Sequence, residues 1–188
     1  MQFRARIVLA MHRLFVALRP PEPVRDALID TMEGVEAARW QGDEQLHLTL
    51  RWVGEVDSDV ANDLADALSS VRAPAFDLTV RGVGTFAKKG RAKAIWADIA
   101  PCEELAILQR RVERACRAAG LDPETRKFVP HVTLARLNTS TGPLDHWLAI
   151  QGRLGAPEWP VDGFVLYESH LGEGGSIYEP VMRYTLDK

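Results

Sequence analysis

Histidine and threonine stand two apart in the run HLTLRW at residues 47–52, and the same His-x-Thr-Leu order returns in HVTLAR at residues 131–136. The two histidines are 84 positions apart (131 − 47) and make up two of the five in the chain. On a strand, side chains two apart share a face. Strict alternation therefore points His47, Thr49 and Arg51 one way and Leu46, Leu48, Leu50 and Trp52 the other. In the second copy His131 and Thr133 share a face, with Val132 and Leu134 opposed. Each strand then has an apolar side for a core and a polar side for a cleft. Two imidazoles facing each other can divide labour, one removing a proton from a nucleophile and the other giving one to a leaving group. Hydrolysis of a phosphodiester needs such a pair, and each transfer is worth roughly 10²–10⁴-fold in rate. Threonine hydroxyls are short donors for the phosphate oxygens, and arginine supplies a planar, permanently charged fork.

A single His-x-Thr on a strand is common and says little alone. Two copies in matched strands of matched half-chains are what point to a site. His12, His146 and His170 have no partner motif and read as surface residues. Paired histidines also ligate zinc, but a catalytic zinc usually takes three protein ligands, and no Cys, Asp or Glu lies at ligand spacing to either histidine. Neither a metal nor a cofactor is expected. Neither thiol sits near a base in sequence, which disfavours a cysteine nucleophile.

The 188 residues, 46% of them hydrophobic, suffice for one domain with a buried core. A net charge of −3 and a pI near 6.0 lack the basic footprint of a protein that grips long duplex nucleic acid. A small phosphorylated ligand, or the end of a nucleic acid, remains compatible. Cys102 and Cys116 are predicted in one helix about 21 Å apart, at roughly 1.5 Å per residue, too far for a disulfide. They read as reduced thiols of a cytoplasmic chain. No run reaches the length of a membrane span, and MQFRARIVLA is too short and too charged for a secretory signal. Residues 1–10 are expected to be a tail, or Met11 the natural start, with residues 11–188 forming a single domain. The plainer alternative is that residues 1–10 lengthen the first strand.

The elements that must position the histidines follow from periodicity. RLFVAL (13–18) reads as a strand closed by prolines, Pro23 to Ala38 as a helix, and LHLTLRWVGEV (46–56) as a strand. A helix follows, capped by Asp57 or Ser58. FDLTVRGVGTF (76–86) and AKAIWADIA (92–100) read as a hairpin around the basic turn AKKGR. The second half repeats the order with a helix from Glu103 to Ala119, ended by Gly120, and a strand at 128–137. A short segment near 143–150 and two strands, 159–169 and 176–186, complete it. Two copies of one small unit facing each other would bring the signatures together. Hairpins in place of regular βαβ alternation argue an α+β fold with antiparallel sheets.

At these residues the sequence resembles the two-histidine (2H) phosphoesterase superfamily, and within it the RNA 2′,3′-cyclic phosphodiesterases once called 2′-5′ RNA ligases. The likeness runs through RLFVAL, LHLTLRWVGEV, GVGTF, AIWADI, RKFVPHVTLAR and LYES. It implies a bilobal α+β fold of two pseudo-symmetric lobes of antiparallel sheet, with flanking helices around a central cleft. It also implies metal-independent opening of a 2′,3′-cyclic phosphate to a 2′-phosphomonoester, and in some members reversible 2′-5′ joining of RNA ends. Carried over by residue, His47 would protonate the departing 3′ oxygen and His131 would activate water. Thr49 and Thr133 would hold phosphate oxygens, and Arg136 would be a further phosphate contact. The near symmetry of the motifs leaves the split between acid and base open. Strict alternation puts Arg51, not Arg136, on the histidine face, so Arg136 reaches the cleft only where the strand bulges or ends. The resemblance favours Arg136, and Arg51 is the geometric alternative.

Trp52 stands where phenylalanine is usual in the family, and parity makes it a core residue, with base stacking as the second reading. Arg126, Lys127, Lys88, Lys89 and Arg91 are placed for a basic rim along an RNA tail, a solvated turn being the plainer reading. The expected partners are RNA ends or small cyclic-phosphate nucleotides, taken by a monomer with no membrane attachment. The alternatives are a non-catalytic RNA-end binding module and a relative that handles another cyclic phosphate, such as ADP-ribose cyclic phosphate.

Overall fold

The histidine signatures sit at the starts of two neighbouring strands of one antiparallel sheet. The computed structural model describes residues 11–173 and 175–187, so the expectation for residues 1–10 lies outside it. In chain order the elements are β1 (Met11–Leu18), α1 (Glu22–Ile29), β2 (Arg39–Trp40), a 3-10 turn (Asp43–Gln45), β3 (Leu48–Asp57) and α2 (Ser58–Leu68). Then come β4 (Phe76–Leu78), β5 (Val80–Lys88), β6 (Arg91–Ile99), α3 (Glu103–Ala118) and β7 (His131–Arg136). The chain closes with α4 (Asp145–Gln151), β8 (Trp159–Val161), β9 (Gly163–Gly172) and β10 (Gly175–Thr185).

Local chemistry accounts for most boundaries. The Asp57 carboxylate accepts from the Val60 N–H at 2.9 Å and opens α2. α3 buries Leu105, Leu108, Val112, Ala115 and Cys116 at helical spacing and ends in a Schellman motif. There Gly120 is left-handed (φ 87°), its N–H reaches the Arg117 carbonyl, and the Leu121 N–H reaches that of Cys116. Both cysteines are free, with the Cys102 sulfur accepting from Leu105 at the start of α3. The turn between β5 and β6 holds Lys89 and Gly90 at φ 53° and 73°, between the paired Lys88 and Arg91. Two positive φ angles make it the mirror-image turn that matches sheet twist. α1 is shorter than its periodicity suggests. It stops at Ile29 because the Thr31 hydroxyl donates to the Leu28 carbonyl at 2.7 Å and Gly34 turns the chain at φ 78°.

The strand order is β10-β9-β1-β3-β7-β6-β5, with β2 also on β7, and β4 pairs β8 separately. The seam between β3 and β7 carries a single partnered pair, Leu48 and Val132. Two lobes therefore meet at the histidines, but they are not consecutive halves of the chain. β5 and β6, which follow the first signature, extend the sheet from β7, while β9, which follows the second, pairs with β1 and carries β10 on its outer edge. A period of two shows that a strand has a face without naming its neighbour, which is why the exchange is invisible in the sequence.

The two faces of the sheet differ. Val16, Leu48, Leu50, Val132, Leu134 and Ala135 share the main core with apolar residues of α2 and α3. On the opposite face Phe15, Ala17, Val165 and Tyr167 form a second cluster, with the half-buried Trp52 and Tyr178 against it. His12 is not the free surface residue expected. Its Nδ1 lies 2.9 Å from the Glu168 carboxylate and its Nε2 lies 3.3 Å from the Ser58 hydroxyl, tying β1 to β9 and α2. His146 and His170 are exposed.

Candidate active site

His47 immediately precedes β3 and His131 opens β7. Because Leu48 pairs Val132 in antiparallel register, one step outward sets His47 opposite Thr133 and Thr49 opposite His131. The seam thus gathers both histidines and both threonines, as the repeated spacing predicts.

Both rings are held in the same way. Nδ1 of His47 lies 2.7 Å from the Gln45 carbonyl, and Nδ1 of His131 lies 2.7 Å from the Val129 carbonyl. A carbonyl only accepts, so each Nδ1 carries the hydrogen and each Nε2 presents a lone pair. Aromatic rings brace both. Phe15 and Tyr178 lie 4.9 and 5.1 Å from His47, and Phe86 and Trp96 lie 4.8 and 5.9 Å from His131, centroid to centroid. Sequence reasoning did not single out these four rings; Phe86 and Trp96 stand in the GVGTF and AIWADI runs, which hold the only signal for them.

The surroundings hold both imidazoles neutral at pH 7. Dense packing around the His47 ring, which keeps some solvent contact, pushes its pKa down to about 4. The Gln45 hydrogen bond opposes this, and the charges of His131, Arg136 and Arg19 add to it. His131 is lowered as well, chiefly by desolvation, against the Val129 hydrogen bond and with help from Arg136. The charge of Arg136 lowers both rings, as a guanidinium on the histidine face would.

Arg136 gets there through a bulge. On β7, Thr133 pairs Trp96 and Ala135 pairs Ile95, so Leu134 is the extra residue. Leu134 and Ala135 both face the core, and Arg136 returns to the histidine face. β3 carries the same bulge at the same place: Thr49 pairs Ala17, Arg51 pairs Val16, and Leu50 is extra. That bulge overturns the parity reading of Arg51 and Trp52. Arg51 turns to the back of the sheet, where its Nε is 2.7 Å from Glu113 and its Nη1 is 3.4 Å from Glu124. It also donates to the carbonyls of Trp52 and Asp122, both at 2.6 Å. The Arg51–Glu113 contact lies off the N–H direction, so charge rather than an aligned hydrogen bond holds it. Trp52 leaves the main core for the histidine face, stacked on Phe15 at 5.7 Å with the Arg13 guanidinium 5.2 Å from its ring centroid. Five residues after its histidine, Trp52 occupies the position that Arg136 holds in the other copy.

The proposed basic rim is partly spent. Arg126 pairs with Glu124 at 2.7 Å, holding that carboxyl down to about 2, while Lys88, Lys89 and Arg91 remain exposed on the β5–β6 turn. Among the described residues no group of three or more His, Cys, Asp and Glu is arranged to hold a metal.

Comparison with known proteins establishes the family. The profile of the 2′-5′ RNA ligase superfamily matches residues 20–173. The chain belongs to the 2′-5′ RNA ligase superfamily. It is 34% identical over 140 residues to the RNA 2′,3′-cyclic phosphodiesterase of Aeropyrum pernix, covering 73% of this chain and 80% of that one. It is 31% identical over 175 residues to the protein of the same name from Thermotoga maritima, covering 89% and 91%. Among solved structures, E. coli LigT complexed with 3′-AMP superposes with a TM-score of 0.77 at 26% identity, over 95% of this chain and all of that one. No helix among the described residues is long and apolar enough to cross a membrane.

Proposed function

We propose that this superfamily member hydrolyses 2′,3′-cyclic phosphates at RNA or nucleotide ends to 2′-phosphomonoesters, without a metal, from the site around His47 and His131. The observation that carries the reading is the matched pair of imidazoles, each pinned through Nδ1 to the carbonyl two residues before it. That leaves two Nε2 atoms for proton transfer on one face of the sheet. A phosphate docked between them is held by the hydroxyls of Thr49 and Thr133 and by the Arg136 guanidinium. His131 Nε2 takes a proton from water as its oxygen bonds to phosphorus, the bond from phosphorus to O3′ breaks, and His47 Nε2 returns a proton to O3′. The product is a 2′-phosphate beside a free 3′ hydroxyl.

His47 is neutral in the free chain, so it acquires its proton as the anion docks, because a neighbouring negative charge favours the imidazolium. With a 5′ hydroxyl attacking phosphorus in place of water, the same groups join RNA ends through a 2′-5′ linkage, and the reverse of that step cuts the linkage and restores the cyclic phosphate. The reading holds that the chain acts as a monomer in the cytoplasm. The test is hydrolysis in EDTA of a short RNA ending in a 2′,3′-cyclic phosphate, with the phosphate position determined, for wild type, His47→Ala and His131→Ala. Turnover to a 2′-phosphate that collapses by about 10² or more in each variant is expected. A folded wild type that turns over nothing, or that needs added metal, overturns the reading.

A further inference from the structure

Resting on that reading, we propose that Arg39 is a specificity-determining residue that binds the phosphate on the 5′ side of the reacting ribose, selecting polynucleotide ends over nucleosides. Arg39 lies on β2 directly opposite Arg136 of β7, and side chains opposite each other on antiparallel strands share a face. The bulge at Leu134 turns Arg136 to the histidine face, so Arg39 is on that face too. The next residue, Trp40, packs against the main core, as alternation requires.

Two like charges directly opposite each other destabilise a sheet unless something lies between them. Only four of the described arginines, Arg19, Arg25, Arg51 and Arg126, hold a carboxylate within ion-pair distance. Among the described residues, neither Arg39 nor Arg136 does. This face of the sheet therefore displays a pair of uncompensated guanidiniums, the usual provision for phosphate.

One cyclic phosphate does not need both. It carries a single charge, and the two threonines with Arg136 already supply donors to it. Arg39 lies level with Arg136 on the neighbouring strand, at the end of β7 away from His131, where a second anion of the same ligand would fall. Its guanidinium lies against the turn between β9 and β10: a Cβ on Gly175 would lie 2.9 Å from Arg39 Nη2. That turn is itself tied down by Gln45, whose side-chain amide donates to the Ser176 carbonyl at 2.8 Å. The backbone carbonyl of Gln45 orients His47, so the second phosphate contact and the acid–base pair share one support. The second anion of an RNA end is the phosphodiester on the 5′ side of its last nucleoside.

The test compares wild type, Arg39→Ala and Arg39→Lys on three substrates: adenosine 2′,3′-cyclic phosphate, the same compound with a 5′-phosphate, and a dinucleotide ending in the cyclic phosphate. The readout is the ratio of kcat/KM with the 5′ phosphate to kcat/KM without it. In Arg39→Ala this ratio is expected to fall about tenfold, through KM, with partial recovery in Arg39→Lys. The salt dependence on the dinucleotide should weaken by about 0.7 in log–log slope, as expected for one lost phosphate contact. A ratio that does not change overturns the proposal, whether all three activities fall together or none does. Dissociation constants of the variants for adenosine 3′-phosphate and for a dinucleotide 3′-phosphate decide the same question without turnover. A wild type that binds both but cleaves nothing would overturn the phosphodiesterase reading, while the two dissociation constants still test Arg39.

Discussion

Two arginines that look alike in sequence should fail in opposite ways when replaced by methionine, which keeps the aliphatic stem. Arg51 is 9% exposed in its side chain, with Glu113 and Glu124 at 20% each. Removing its charge strands the Glu113 carboxylate and two backbone carbonyls, whereas Glu124 keeps Arg126. Breaking one side of a buried ion pair costs about 3–5 kcal/mol, and the residual exposure puts this case near 3 kcal/mol. For a chain of this size that lowers Tm by about 6–12 °C. Arg136 is exposed with no carboxylate partner among the described residues, so Arg136→Met should change stability by less than about 0.5 kcal/mol. Its loss should instead lower kcat/KM by about 10², as for other preorganised donors to a developing oxyanion. Thermal melts and steady-state rates on a 2′,3′-cyclic phosphate RNA, taken on the same preparations, check both. An Arg51→Met protein that is stable but inactive, or an Arg136→Met protein that is active, would refute the assignment of the two arginines.

The remaining predictions concern titration and packing. Since the reaction needs one imidazole protonated and one neutral, and both free-state values lie below 6.5, kcat/KM should fall about tenfold per pH unit above pH 6.5. Its acid limb should lie near pH 4; an alkaline limb above pH 7 would contradict the burial of the pair. A histidine whose folded pKa is depressed favours unfolding as pH falls, because the unfolded chain takes up the proton first. His47 should therefore cost about 3 kcal/mol of stability between pH 6.5 and pH 4, and denaturant titrations of His47→Gln should show a flatter profile over that window. Gly84→Ala would drive a methyl group into the Trp96 indole, which flanks His131. It should lower stability by about 1–3 kcal/mol, read by thermal melts, and reduce kcat more than KM; a change in stability alone would show that Trp96 does not position the ring.

The repeated His-x-Thr-Leu spacing was enough to place two imidazoles and two hydroxyls on one face, because two-residue periodicity is a property of any strand. The helix caps at Asp57 and Gly120 and the two-residue turn at Lys89 and Gly90 are equally local, set by side-chain oxygens and by tolerance of positive φ. Three features escaped local reading. The bulges at Leu50 and Leu134 insert one residue each and reverse parity for everything beyond, which sends Arg51 to the back of the sheet and brings Arg136 forward. The exchange of strands between lobes depends on which apolar faces find each other in the core, and many pairings share one periodic pattern. Arg39 belongs to a strand of two residues, too short to carry any period, and only its pairing with Arg136 gives it a face. The sequence by itself determined which chemical groups were available and roughly which way they pointed. The tertiary structure decided which arginine joins the histidine face, because one inserted residue in a ladder of hydrogen bonds outweighs any preference encoded by neighbours in the chain.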